Sequence, residues 1–142
     1  MVDTWELAFD YRATENAPFA LNLFKYEVTD KILLVPVPGG TSKIAQNAGS
    51  LQGQGLEVEA RWKMTKRSSM LFNYAFQEVT DETAHNLGFA PQHSVYLRTD
   101  WLIIPNWFLD TQVRWIAERQ RSFKDERPPI DDYTTVDLTL RY

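Results

Sequence analysis

The feature that most narrows what this chain can fold into is a strict two-residue alternation carried across a tight turn, in the stretch His93 to Glu118. In its second arm Trp107, Leu109, Thr111, Val113, Trp115 and Ala117 alternate with Phe108, Asp110, Gln112, Arg114, Ile116 and Glu118. Successive side chains of a strand point to opposite faces, so a period of two predicts a strand with one apolar and one polar face. The first arm repeats the pattern, with Val95, Leu97, Thr99, Trp101 and Ile103 against Ser94, Tyr96, Arg98 and Asp100, and Ile104-Pro105-Asn106 supplies the turn. Each arm has about the 10 residues with which a tilted strand crosses a bilayer. Both signs of charge share the polar face, and Trp sits at the ends of the apolar one. That combination reads as the wall of a membrane barrel.

The same alternation recurs along the chain. Strands are expected near residues 4–12, 19–29, 44–64, 68–79, 93–104, 107–118 and 133–142. They make an all-β, antiparallel up-and-down transmembrane barrel segment of about seven strands. Trp5, Leu7, Phe9 and Tyr11 oppose Glu6, Ala8, Asp10 and Arg12; Phe24, Tyr26 and Val28 oppose Lys25 and Glu27; Leu56, Val58, Ala60, Trp62 and Met64 oppose Glu57, Glu59, Arg61 and Lys63. The aromatic stripe is expected to face lipid. Gly49, Gly53 and Gly55 fall in the first half of the long third strand, where missing side chains suggest a bulge or the close approach of another backbone.

Short connections at 13–18, 65–67 and 104–106 alternate with long ones at 30–43, 80–92 and 119–132. Outer-membrane barrels show that asymmetry, with short periplasmic turns and long extracellular loops, so the first strand is expected to descend. Tyr11, Trp62, Trp101, Trp107 and Tyr142 fall near the short-turn ends, where an aromatic girdle belongs. An open sheet has bare edges that lipid cannot satisfy, so further strands are expected on at least one side.

Composition serves mainly to exclude. No run approaches the roughly 18 apolar residues of a membrane helix, and mildly negative mean hydropathy is no argument against a barrel, whose alternation hides it. A net charge of -4 without a clustered basic stripe argues against a nucleic-acid partner. The absence of cysteine removes a disulfide framework and a Cys-based zinc site, and no cofactor or metal is expected. Met1-Val2-Asp3-Thr4 leads directly into a strand with no charged n-region, so the sequence reads as an internal piece of an exported protein.

Several motifs resemble one family. Asn47-Ala48-Gly49 followed by Gly55-Leu56-Glu57-Val58-Glu59 resembles the N-x-G…G-[VL]-E-x-E strand of TonB-dependent outer-membrane receptors, the siderophore and vitamin transporters. Pro91-Gln92-His93-Ser94 resembles their P-x-H strand start, and Tyr133-Thr134-Thr135-Val136-Asp137-Leu138 their Y-x-x-V-D-L strand near the C-terminus. Trp5-Glu6-Leu7 stands where that family has Y-E-L-G, with Ala8 in place of the glycine. The resemblance implies the C-terminal part of a barrel of about 22 strands around a plug. It also implies partners: the remainder of the same barrel, its plug domain, a TonB complex engaged through a missing N-terminal part, outer-membrane lipid and an iron-chelate ligand. The family's plug, TonB box and closing Asn-Leu-Phe-Asp strand are not in this sequence.

Candidate residues follow from the polar face and the loops. Glu57, Glu59, Arg61, Arg98, Asp100, Asp110, Arg114, Asp137 and Arg141 are expected to face the lumen and seat a plug. His85 and Phe89 in the second long loop, and Arg119, Arg121 and Lys124 in the third, are the candidates for touching ligand. His93, Ser94 and Asp100 do not make a hydrolytic triad, because neighbours in a strand face opposite ways and no orienting partner is in reach; no enzyme activity is expected. The competing reading is a soluble small barrel that turns the apolar stripe inward around a ligand.

Overall fold

The structure, a computed structural model, describes residues 1–36, 42–47, 49–83, 85–88, 90–121 and 125–142. The strands are β1 (Val2–Thr14), β2 (Ala17–Val28), β3 (Ile32–Pro36), β4 (Lys43–Asn47), β5 (Leu51–Thr65), β6 (Ser68–Asp81), β7 (His93–Ile104), β8 (Trp107–Ala117) and β9 (Tyr133–Arg141). Seven of them form one antiparallel sheet in the order β1-β2-β5-β6-β7-β8-β9, and β3 pairs only with β4. Among the described residues the sheet is open, because β1 and β9 each pair on one side only.

Three short hairpins close in the same way. The ladder shifts register between Arg12 and Thr14, between Lys63 and Thr65, and between Leu102 and Ile104, just before the turn each time. One extra residue on one strand adds local twist, and Asn106 takes the left-handed φ of 69° that such a turn needs. The turns are stitched to the next strand along: Lys63 N–H donates to Asn16 O at 2.8 Å, and Leu102 N–H donates to Arg67 O at 2.7 Å.

The expectation of a single strand over 44–64 needs correction. The run divides into β4 and β5, and β4 pairs instead with β3, which lies inside what reads as the long loop 30–43, as a separate two-stranded extension. The cause is local backbone: Asp30 and Gly49 both adopt positive φ, 57° and 97°, on the two arms of the same hairpin, and Lys31 N–H donates across to Gly49 O at 3.2 Å. Glycine meets that demand without a Cβ clash. The ladder therefore breaks between Val28↔Leu51 and Ile32↔Asn47.

There is no packed core among the described residues. Ala117, at 2% exposure, is the one buried apolar residue there, whereas Trp5 is 80% exposed, Leu7 65% and Leu138 68%. A soluble domain of two layers would bury such a face. Here no second layer packs on it among the described residues: Val58, Tyr74, Val95 and Trp115, which the register places side by side, are half-buried by their neighbours in the sheet, and the apolar residues of β1 and β9 are exposed. The open sheet fits the barrel-wall reading better than the soluble-barrel one, which needs a closed sheet with the apolar stripe inside. Among the described residues no helix is long and apolar enough to cross a membrane, a finding that does not bear on crossing by strands.

Candidate functional site: the concave polar face

The face opposite the apolar stripe is built by parity and register. Ala20, Glu59, Asn73, Tyr96, Arg114 and Thr135 form one row across the sheet, and Asn22, Glu57, Ala75, Ser94 and Ile116 the row beside it. These rows line a trough of about 780 Å³ whose floor is small, at Ala20, Ala75 and Ser94. The next row towards the short turns holds Arg61, Leu71, Arg98, Gln112 and Asp137, and beyond it lie Ser69, Asp100, Asp110 and Thr139. All nine charged residues singled out for this face therefore share it.

Their densest contact is an ion cluster on β7 and β8. Register sets Asp100 opposite Asp110, and two facing carboxylates repel unless a cation divides them. Arg98 does so: its Nη2 donates to Asp110 Oδ2 at 2.5 Å and to Asp100 Oδ1 at 3.0 Å. Gln112 Nε2 donates to Asp110 Oδ1 at 3.3 Å, Tyr96 Oη donates to Gln112 Oε1 at 3.2 Å, and Ser69 Oγ donates to Asp100 Oδ2 at 3.4 Å. Asp110 is only 5% exposed. Elsewhere Glu59 pairs with Arg61 at 2.9 Å, Arg114 lies 5.6 Å from the Tyr96 ring centre and Arg141 5.8 Å from that of Phe108.

The face is short of partners. Asn22 Oδ1, Asn73 Oδ1 and Arg98 Nε are enclosed yet make no hydrogen bond. Buried polar atoms are nearly always satisfied, so these three atoms mark where a polar surface is expected to meet the wall. Asn22 and Asn73 were not among the sequence candidates, although Asn73, Ser94, Gln112 and Ser69 alternate with apolar residues and parity alone would have placed them here.

The loop candidates are not brought together. His85 sits in a turn with Thr83 and Asp81: Thr83 Oγ1 is 2.5 Å from its Nδ1, and its backbone N–H donates to Asp81 Oδ1 at 3.0 Å. The Thr83 hydroxyl, followed by the His85 backbone N–H, holds the Asp81 carboxyl below the usual carboxylate range. In the third loop Arg121 Nε donates to Pro128 O at 2.7 Å and its guanidinium lies 3.5 Å from Asp125, while Arg127 donates to Asp125 at 2.6 Å. Hydrogen bonds from the Arg127 side chain, the largest cause, hold the Asp125 carboxyl far below its usual range. Two of the loop's cations are thus already engaged by one carboxylate. Phe89 and Lys124 lie outside the described residues, and no contact is described for Arg119. Among the described residues no group of three His, Asp or Glu side chains is arranged to hold a metal ion.

One expectation about facing is corrected. Phe24 and Tyr26 are not on the apolar stripe: Phe24 pairs with Gly55 and Tyr26 with Gly53, in line with Asn22 and Glu57 on the concave face. Their rings fill the space that a Cβ at Gly55 or Gly53 would need. The glycines thus mark close approach by aromatic rings, together with the Phe76 carbonyl at Gly55, and no bulge interrupts the ladder there. His93 and Ser94 do face opposite ways. His93 Nδ1 is 2.8 Å from Tyr74 Oη on the apolar face, between the rings of Phe76 and Trp115, and Ser94 lines the trough.

Comparisons with known proteins agree with this architecture. The family model described as TonB dependent receptor-like, beta-barrel matches residues 1–142. Among solved structures, the ferric-catecholate import receptor Fiu from E. coli K12 superposes with a TM-score of 0.76 at 14% identity, over 98% of this chain and 20% of that one. The ferripyoverdine receptor of the outer membrane of Pseudomonas aeruginosa gives 0.76 at 15%, over 99% and 21%, and the ferric yersiniabactin uptake receptor FyuA from Yersinia pestis gives 0.77 at 17%, over 98% and 22%. The chain spans about a fifth of the length of these receptors. A search of curated proteins finds no match. The family and these neighbours are receptors rather than enzymes.

Proposed function

Since the chain belongs to the TonB-dependent receptor β-barrel family, we propose that it forms wall and extracellular loops of an outer-membrane receptor that imports a ferric siderophore or a similarly scarce nutrient. The observation that carries this reading is the two-sided sheet. Among the described residues nothing packs over its apolar face, and its polar face is concave and lined by charge. Lipid suits the first, and a polar plug suits the second.

In this reading the free edges of β1 and β9 pair with further strands of the same barrel, because unpaired backbone groups cost several kcal/mol each in hydrocarbon, of the order given for unsatisfied amides. The Arg98–Asp100–Asp110 cluster and the unpartnered atoms of Asn22, Asn73 and Arg98 form part of the plug seat. The plug couples the wall to the TonB complex, and the long connections gather ligand at the cell surface. The chain's own contribution is thus positional: it holds the plug, seals the membrane and shapes the mouth.

Sidedness tests the reading. The chain has no cysteine, so single substitutions report cleanly within it. In intact cells producing the full-length receptor, Glu82→Cys and Glu126→Cys are expected to react with a membrane-impermeant maleimide, and Lys66→Cys and Asn106→Cys only after lysis. Labelling of the short turns from outside overturns the orientation, and labelling of all four in soluble extract overturns the membrane assignment.

A further inference from the structure

One connection differs in charge from every other. The turn that joins β5 to β6 carries Lys66 and Arg67, with Lys63 two residues before it, and no Asp or Glu occurs from Ala60 to Gln77. The other short connections carry Glu15 or no charge at all, and every long one contains carboxylates. Among the described residues none of the three cations makes an ion pair or a side-chain hydrogen bond. Cations spread singly round a rim are ordinary snorkelling anchors; three within five residues, without a countercharge, focus positive potential at one place.

The surroundings of the turn indicate the partner. Thr65 and Ser68 close it: their hydroxyls are 2.9 Å apart, and Arg67 N–H donates to Thr65 Oγ1 at 3.0 Å. Register sets Ser68 beside Trp101 and Met70 beside Trp62 on the convex face, where the two tryptophans are 47% and 50% exposed. Lys63, Lys66, Arg67, Ser68, Trp101 and Phe108 line a cleft of about 490 Å³ at this rim. Asp100 also reaches the cleft, but its carboxylate is already engaged by Arg98 and Ser69. Amphipathic rings at the edge of an apolar band mark where acyl chains give way to headgroups, and cations just beyond them lie at the depth of the phosphates. A plug segment meets the concave side alone and leaves Trp62 and Trp101 uncovered. A phospholipid presents its phosphate to the turn and its chains to the rings.

We propose that the β5–β6 turn, through Lys63, Lys66 and Arg67, binds the headgroup of an anionic phospholipid of the periplasmic leaflet, whose acyl chains lie against Trp62 and Trp101. The periplasmic placement rests on the receptor reading above. Native mass spectrometry of the purified full-length receptor in detergent tests the site, with phosphatidylglycerol and phosphatidylethanolamine of the same chains added in equal amounts. Wild type is expected to retain phosphatidylglycerol in preference. Lys66→Gln and Arg67→Gln are each expected to lower the retained ratio of the two lipids about 5-fold, the contribution of one cation at an anionic lipid surface. Lys25→Gln, at the opposite end of the sheet, is expected to leave the ratio unchanged.

Equal retention of the two lipids by wild type, a ratio unchanged in both turn variants, or an equal fall in Lys25→Gln overturns the site, and the wild-type ratio decides even where a variant fails to fold. Displacement of the lipid by an equal concentration of inorganic phosphate also overturns it, because the chains then add nothing. A ratio that holds in turn variants whose plug is digested faster assigns the cations to an acidic protein surface instead. The underlying reading is scored separately by the maleimide labelling of Lys66→Cys. Labelling only after lysis, with no lipid preference, removes the lipid site alone, and labelling from outside removes the orientation with it.

Discussion

Asp110 shows how much depends on single side chains when a sheet has no core. It is enclosed because Arg98, Gln112 and the facing Asp100 surround it, and its charge is tolerable only while Arg98 stays between the two carboxylates. Arg98 is itself partly exposed, which screens the pair. Asp110→Asn is expected to destabilise the receptor by about 1–3 kcal/mol, the cost of stranding an enclosed hydrogen-bonding partner. Urea unfolding of the protein in lipid vesicles checks it. Across the sheet, Val113 stands on the apolar face beside Leu97 and Val136. Val113→Arg there is expected to cost about 2–4 kcal/mol in the same measurement, the depth-dependent cost of an arginine at the middle of the bilayer. Gln112→Arg, one residue away but facing the polar side, is expected to cost much less. Equal effects of the two substitutions would mean that the two faces are not chemically distinct.

At the scale of elements, the repeated register shift before each short turn and the paired left-handed residues at Asp30 and Gly49 do different work. The first tightens three hairpins, and the second detaches β3–β4 from the main sheet. Gly49→Val puts a β-branched residue at a φ of 97°, with an expected strain of about 1–3 kcal/mol. Hydrogen exchange is expected to quicken across Ile32–Pro36 and Lys43–Asn47 and to stay unchanged in β6 to β8. The third long connection is held by Asp125 with Arg127 and Arg121. Because the Asp125 carboxyl is depressed in the folded loop, its contribution is fully present above the ordinary carboxylate value and is lost only as pH falls through the lowered one. Proteolysis of residues 118–132 is therefore expected to be constant from neutral pH down to about 4, the ordinary carboxylate value. Arg127→Gln moves the onset of opening to higher pH. A wild-type loop that opens between pH 6 and 5 contradicts the assignment of its order to Asp125.

At the scale of the molecule, everything follows from one layer with two solvents. The apolar face and the free edges of β1 and β9 leave the isolated chain with no way to satisfy itself in water. Produced alone without detergent or lipid, it is expected to aggregate rather than give a cooperative unfolding transition, which light scattering and thermal circular dichroism would show. A monomeric, cooperatively melting chain in buffer would contradict the barrel-wall reading. The aromatic girdle also belongs to this scale. Tyr11, Trp62, Trp101, Trp107 and Tyr142 lie towards the short turns, with Trp107 and Tyr142 ring centres 5.1 Å apart, and Tyr74, Phe76, His93 and Trp115 make a second cluster near the long loops. Two such belts are what a slab with two interfaces selects.

The sequence by itself determined what is local and periodic. Alternation along His93 to Glu118 assigned faces to Arg98, Asp100, Asp110 and Arg114, and the short and long connections ordered the strands, because side-chain direction in a strand depends on parity alone. Composition alone misplaces some side chains: Phe24 and Tyr26 look like lipid-facing aromatics until their pairing with Gly55 and Gly53 is known. The break at Gly49 was also hidden, since a continuous run of strand-forming residues does not show which backbone turns left-handed. Only the tertiary structure decided which rows stand side by side, and with that the Arg98 cluster and the enclosed, unpartnered Oδ1 atoms of Asn22 and Asn73. Register is set by pairing between strands far apart in the chain, and no window along one strand contains it.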